Sequence, residues 1–184
     1  MLAEILNFQG AKPCLGVGSF SHLLYSIITL MAIAMLFPIT AFAQAYVQTW
    51  DLVDSGKHLD YDGNSTYMSY INTGAATWNA YKSGVIRKDS AFVVEDVYVS
   101  DVNASNGWAG MTYSSGKIEL NTYYMSGYSN SKKQNVATHE LGHALGLDHS
   151  TSTDVMDAAI TGHTSTQALS QNDKDSYDAA YNNY

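Results

Sequence analysis

The apolar positions change period along the chain, and the changes mark its elements. Between residues 66 and 81, Tyr67, Ile71, Ala75 and Trp78 recur at i, i+4, i+8 and i+11, which is one face of a helix. Asn64 or Ser65 stands where its cap belongs. Residues 58–62 ahead of it read as a first strand, closed by Gly63-Asn64, and 84–87 as another short one. Residues 91–99 (AFVVEDVYV) are dense in β-branched and aromatic side chains and predict a strand. After a loop at 103–107, residues 108–113 and 117–121 predict a hairpin about Ser114-Ser115-Gly116. Residues 123–131 read as a polar loop, 132–145 as a helix and 147–169 as irregular chain. Ser170, with Asp173 three residues on, predicts a capped last helix reaching Tyr181.

The first quarter has a different character. Residues 13–50 carry no Asp, Glu, Lys or Arg. Within them 27–37 (IITLMAIAMLF) has the length of a signal-peptide core, and Pro38 ends it. Ala41-Phe42-Ala43 and Ala43-Gln44-Ala45 both fit the small-residue cleavage pattern. Residues 1–45 are therefore expected to be a secretory signal, cleaved after Ala43 or Ala45 and leaving a secreted, extracellular protein. A flexible lead-in over 46–56 and a folded domain over 57–184 would follow. The rival is an uncleaved anchor, because 23–43 is long enough to span a bilayer. Glu4 and Lys12 precede the apolar core, so the usual positive excess is missing there.

Composition narrows the function. The chain of 184 residues is 46% hydrophobic, enough for a core, yet only 14% charged. Nine Lys and Arg against 17 Asp and Glu leave a net charge of -8, which argues against nucleic acid as a partner. The single cysteine, Cys14, lies before the apolar core and would leave with the signal. A secreted chain without a disulfide must rely on its core or on bound metal.

The chemistry concentrates in residues 138–150, THELGHALGLDHS. His139 and His143 stand four apart on the predicted helix, so both imidazoles share one face and can reach one ion. Glu140 sits beside the first of them, close enough to reach a water on that ion. Gly146 can end the helix in the left-handed conformation and turn the chain back, so that His149 adds a third nitrogen. Three neutral imidazoles with one open position describe a catalytic zinc site, whereas structural sites are closed by four protein ligands.

HELGHALGLDH matches HExxHxxGxxH and resembles the signature of the metzincin zinc endopeptidases. Val155-Met156-Asp157, seven residues after His149, is similar to their methionine-containing turn. Ser150 after the third histidine, and the stretch from Leu169 to a helix ending at Tyr181, resemble the matrixin branch, which also occurs in bacteria. The resemblance spans 57–184. It implies an α+β (α/β-like) metzincin fold: a twisted, mostly parallel five-stranded sheet with one antiparallel edge strand, two long helices and a C-terminal helix. It implies zinc on His139, His143 and His149, with Glu140 as general base and Met156 as an apolar floor. The hairpin's first strand would bind an extended protein or peptide substrate through Trp108 and Gly110, and Asn135 would help set pocket depth. Ala158 stands where some branches carry a tyrosine ligand, which favours three histidines plus water.

The matrixin structural zinc and calcium loop is not visible, so calcium is unsupported; Asp60-Tyr61-Asp62-Gly63-Asn64 is read as a turn. Lys12-Pro13-Cys14 lies on the wrong side of the signal core to act as a latency cysteine, and Asp51 or Asp54 is the candidate for a short inhibitory plug. The expectation is a monomeric zinc metalloendopeptidase without stable membrane association once the signal is removed. The alternative is a zinc-binding adhesion or recognition domain without peptidase activity. Such a domain would have no need of Glu140.

Overall fold

The computed structural model describes residues 44–90 and 94–184. The signal and anchor readings of 1–43 lie outside the described residues, among which no helix is long and apolar enough to cross a membrane. The elements run β1 (Leu59–Gly63), α1 (Met68–Asn79), β2 (Ile86–Lys88), β3 (Val97–Val102), β4 (Gly110–Tyr113) and β5 (Lys117–Asn121). Then come α2 (Thr122–Met125), α3 (Asn130–Ala144), a 3-10 turn at Ile160–Gly162 and α4 (Gln171–Tyr181). The five strands form one sheet in the order β2-β1-β3-β5-β4. All neighbours are parallel except β4, which runs antiparallel to β5 and forms an edge. This is the sheet the resemblance implied.

The apolar face expected of α1 is buried: Ile71, Ala75 and Trp78 lie in the core. Trp78 is fully buried, donates its indole N–H to Thr138 O at 2.9 Å, and meets Tyr177 of α4 edge-on at 5.5 Å between ring centres. Burying a side chain such as that of Ile71 contributes about 1.5–3 kcal/mol. Gly74 lets α1 approach α3 closely, since a Cβ there would lie 3.1 Å from Thr138 Cα. The close contact leaves α3 clamped between α1 and β4, where Thr112 bonds to Glu140.

Several boundaries differ from expectation, each for a non-local reason. The strand expected over 91–99 starts only at Val97, where β1 and β5 begin to offer partners; Val94 is exposed and 91–93 lie outside the described residues. The strand expected from Trp108 pairs from Gly110, and Trp108 O is taken by the Asn121 side chain instead. Residues 122–125 form a helical turn, not loop, because Asn121 caps it and Met125 is fully buried beneath it. Ser65 accepts the Tyr67 N–H near the start of α1, but Asp101 from β3 receives the Thr66 N–H and the Ser65 hydroxyl. Residues 60–63 are strand rather than turn, and Asp60 is bound by the Arg87 guanidinium through two nitrogens.

The lead-in is not a free tail. Val47 bridges Leu147, Gln48 N–H donates to Gly146 O at 2.7 Å and Leu52 N–H to Ala144 O at 2.9 Å. Residues 46–52 therefore strap the C-terminal end of α3.

Candidate active site

Ser129 caps α3 by accepting the Lys132 N–H, and the helix carries His139 and His143 one turn apart. It ends in a Schellman arrangement: Gly146 N–H donates to His143 O at 2.9 Å and Leu147 N–H to Gly142 O at 3.0 Å. Gly146 has φ +83°, a conformation that a side chain would strain. The reversal brings His149 back across the helix end.

The three rings converge, with centres 4.6, 5.2 and 4.8 Å apart. Their nitrogens gather within 4.8 Å of one another, and His143 Nε2 lies 3.2 Å from His149 Nε2. Two imidazoles at about 2.0–2.1 Å from one tetrahedral zinc hold their nitrogens about 3.3 Å apart, so the donor set and its spacing fit that ion. The outer nitrogens are already committed. His139 Nδ1–H faces Val155 O at 2.8 Å and His143 Nδ1–H faces Leu147 O at 2.8 Å, which turns both Nε2 atoms inward. The Gln48 amide joins this group, donating to Leu147 O at 3.0 Å and standing 2.8 Å from His143 Nδ1.

Burial also sets the protonation states. It pushes His139 down to about 3, helped by His143 beside it, and His143 down to about 4. Both are neutral at physiological pH, the form that binds metal. Burial pushes the Glu140 carboxyl up to about 7, against the hydrogen bond from Thr112 that favours the ionised form.

Met156 lies fully buried against α3, where Gly142 leaves it room. A Cβ on Gly142 would be 2.3 Å from Met156 Sδ and 2.9 Å from Trp78 Cζ2. The turn that carries Met156 is held from α4. Asp173, fully buried, accepts the N–H groups of Val155 (2.9 Å), Met156 (3.1 Å) and Ser170 (2.8 Å). Ser170 and Asp173 form the expected cap as a full capping box, and the same carboxylate anchors the methionine turn.

A cleft of about 380 Å³ runs between β4 and the histidines. Trp108, Gly110, Thr112, Val136, Ala158 and Ile160 are among the residues that line it, together with Glu140 and the three imidazoles. Trp108 is thus at the cleft, half-buried. Gly110 has a second use: a Cβ there would lie 2.5 Å from Glu140 Oε1, so the missing side chain makes room for the carboxylate. Asn135 does not line the cleft. It is buried, donates to Ser165 O at 2.9 Å and accepts the Gln167 N–H at 2.9 Å, and so ties down the loop beyond the cleft. Asp51 and Asp54 are not plugs; their carboxylates accept the Val53 and His58 N–H groups. Asp148 is exposed and caps the His149 N–H, as a solvated turn residue does.

Sequence reasoning missed Gln48, Thr112 and the second role of Asp173. Thr112 had a signal, being two residues from Gly110 on one face of the predicted strand. Gln48 had none, since it lies 95 positions from the ring it approaches.

Among solved structures, the fold is similar to archaemetzincin from Methanopyrus kandleri, with a TM-score of 0.51 and 12% identity over 71% of this chain and 99% of that one. No curated protein sequence matches the chain. The profile of the matrixin peptidases matches residues 41–182. That span takes in all but the last two residues of the described fold, and the chain therefore belongs to the matrixin family of zinc metalloendopeptidases.

Proposed function

We propose that the protein is a secreted, monomeric endopeptidase in which Glu140 is the general base and His139, His143 and His149 hold the zinc. The single observation that carries the reading is the convergence of three inward-turned imidazoles beside a buried carboxylate, inside a cleft open to an edge strand. Zinc, when bound, supplies a Lewis acid and lowers the pKa of water to roughly 7.

The chain's own residues do the rest. An extended peptide lies along β4, whose outer edge has no neighbour in the sheet, and pairs with it through backbone hydrogen bonds. Trp108 and Gly110 flank that track at the cleft. Val136, Ala158 and Ile160 offer an apolar seat for the side chain beyond the scissile bond. Asn135 holds the loop that closes this seat. Glu140 accepts a proton from the attacking water and delivers it to the leaving amine. Met156 packs under the ligand helix and keeps polar groups away from it.

Secretion is supported by the uncharged run at 13–50 and the cleavage pattern ending at Ala43 or Ala45. N-terminal sequencing of protein from the medium tests it, and retention in the membrane fraction refutes it. The catalytic reading is tested with Glu140→Gln on a quenched fluorescent peptide. Turnover should fall at least about 10³-fold while one zinc per chain is retained. A variant that loses no turnover refutes Glu140 as the base, whereas a zinc-loaded parent protein that cleaves no peptide points to the adhesion reading instead.

A further inference from the structure

We infer that Thr112 is the positioning residue for Glu140, so that the strand which binds substrate also aims the base. The inference rests on Glu140 being that base.

Glu140 is a buried carboxylate, and among the described residues no cation pairs with it. Its carboxylate accepts a hydrogen bond from Thr112, whose hydroxyl lies 2.7 Å from Oε2. The same hydroxyl lies 2.9 Å from Glu140 O. A hydroxyl has one proton to donate, and a carboxylate is the stronger acceptor, so the bond goes to Oε2 when Glu140 is ionised. Oε1 lies on the other side, 2.5 Å from where a Cβ of Gly110 would be, in room that only a glycine leaves. Residues 110 and 112 share a face of β4 by the period of a strand. One of them vacates a space and the other supplies a donor, and together they define a seat for a single side chain. Three rotatable bonds separate this carboxylate from α3, and loss of the hydroxyl frees the outer two. Displacement of a reacting group by about 1 Å costs on the order of 10²-fold in rate.

The test compares Thr112→Val, which keeps the shape and removes the donor, with Thr112→Ser, which keeps the donor. Val should lower kcat about 10- to 100-fold with KM within about twofold, and Ser should restore kcat to within about threefold of the parent. Zinc should remain at one per chain in both. On a Glu140→Gln background, adding Thr112→Val should leave peptide affinity, measured calorimetrically, within about twofold, because the hydroxyl acts on the base and not on the substrate. If the Val protein does not fold, Thr112→Ala, which cannot overpack, is read in its place. A Val variant with parental kcat overturns the inference, as does a Ser variant as impaired as Val, which would make Thr112 a packing residue. The failure of the reading beneath it has another signature: Glu140→Gln itself would keep its turnover.

Discussion

Asp173 offers a test that separates local capping from long-range support. Its carboxylate receives three backbone N–H groups, from Val155, Met156 and Ser170, at a site with no solvent exposure. As a helix cap alone, its removal should cost no more than loss of the other half of the capping box, and Ser170→Ala is worth about 1 kcal/mol. As the anchor of the methionine turn, it costs more. Hydrogen bonds to a charged group contribute about 1.5–3 kcal/mol each, so losing three in Asp173→Ala removes about 4–5 kcal/mol even at the lower end. That is a large share of the about 5–15 kcal/mol that holds a domain together. Asp173→Asn should fall between. Its remaining oxygen serves best at the Oδ2 position, where two donors point, and its amide then opposes the Met156 N–H. The expected loss is about 2 kcal/mol. Urea unfolding of zinc-saturated protein reads all three variants, and chelator competition should show zinc held less tightly in Asp173→Ala but not in Ser170→Ala. Equal stability of Ser170→Ala and Asp173→Ala would refute the reasoning.

Gly110→Ala should lower kcat on the order of 10²-fold while zinc content and Tm hold, because the new Cβ falls 2.5 Å from Glu140 Oε1 and the backbone there is not in the left-handed region; parental peptidase kinetics would contradict the proposed seat. Gln48→Ala should weaken zinc binding about 10-fold in a chelator titration, since its amide donates to Leu147 O, the carbonyl that receives the His143 Nδ1–H. An unchanged zinc affinity would mean that the strap merely packs. At acid pH, Asp154 should matter. Burial raises its pKa, but hydrogen bonds from neighbours including Thr151 and Asn172 outweigh that and hold it at about 2. A depressed carboxylate stabilises the fold above its unfolded value near 4, and that share is lost as pH falls through 2. Asp154→Asn should therefore cost about 2 kcal/mol at pH 7 and little at pH 2, a difference that pH-resolved unfolding detects.

What could be read from residues in a row was whatever local chemistry dictates. The i, i+4 spacing of His139 and His143 is a property of any helix, and Gly146 at the left-handed position follows from backbone sterics alone. The apolar face of α1 and the Ser170–Asp173 capping box are equally local. The tertiary structure decided what depends on contacts between distant segments. Only the fold could reveal that the strand after residue 90 begins at Val97, because pairing partners and not propensity set its start. Only it could turn the supposed loose lead-in into a strap on α3. The same holds for the seat of Glu140. The strand period puts residues 110 and 112 on one face, but it does not say that a carboxylate 28 positions from Thr112 packs there, received by a missing Cβ and one hydroxyl. Ligands spaced along one helix are fixed by its pitch, whereas the groups that aim them come from wherever the chain happens to pack against that helix.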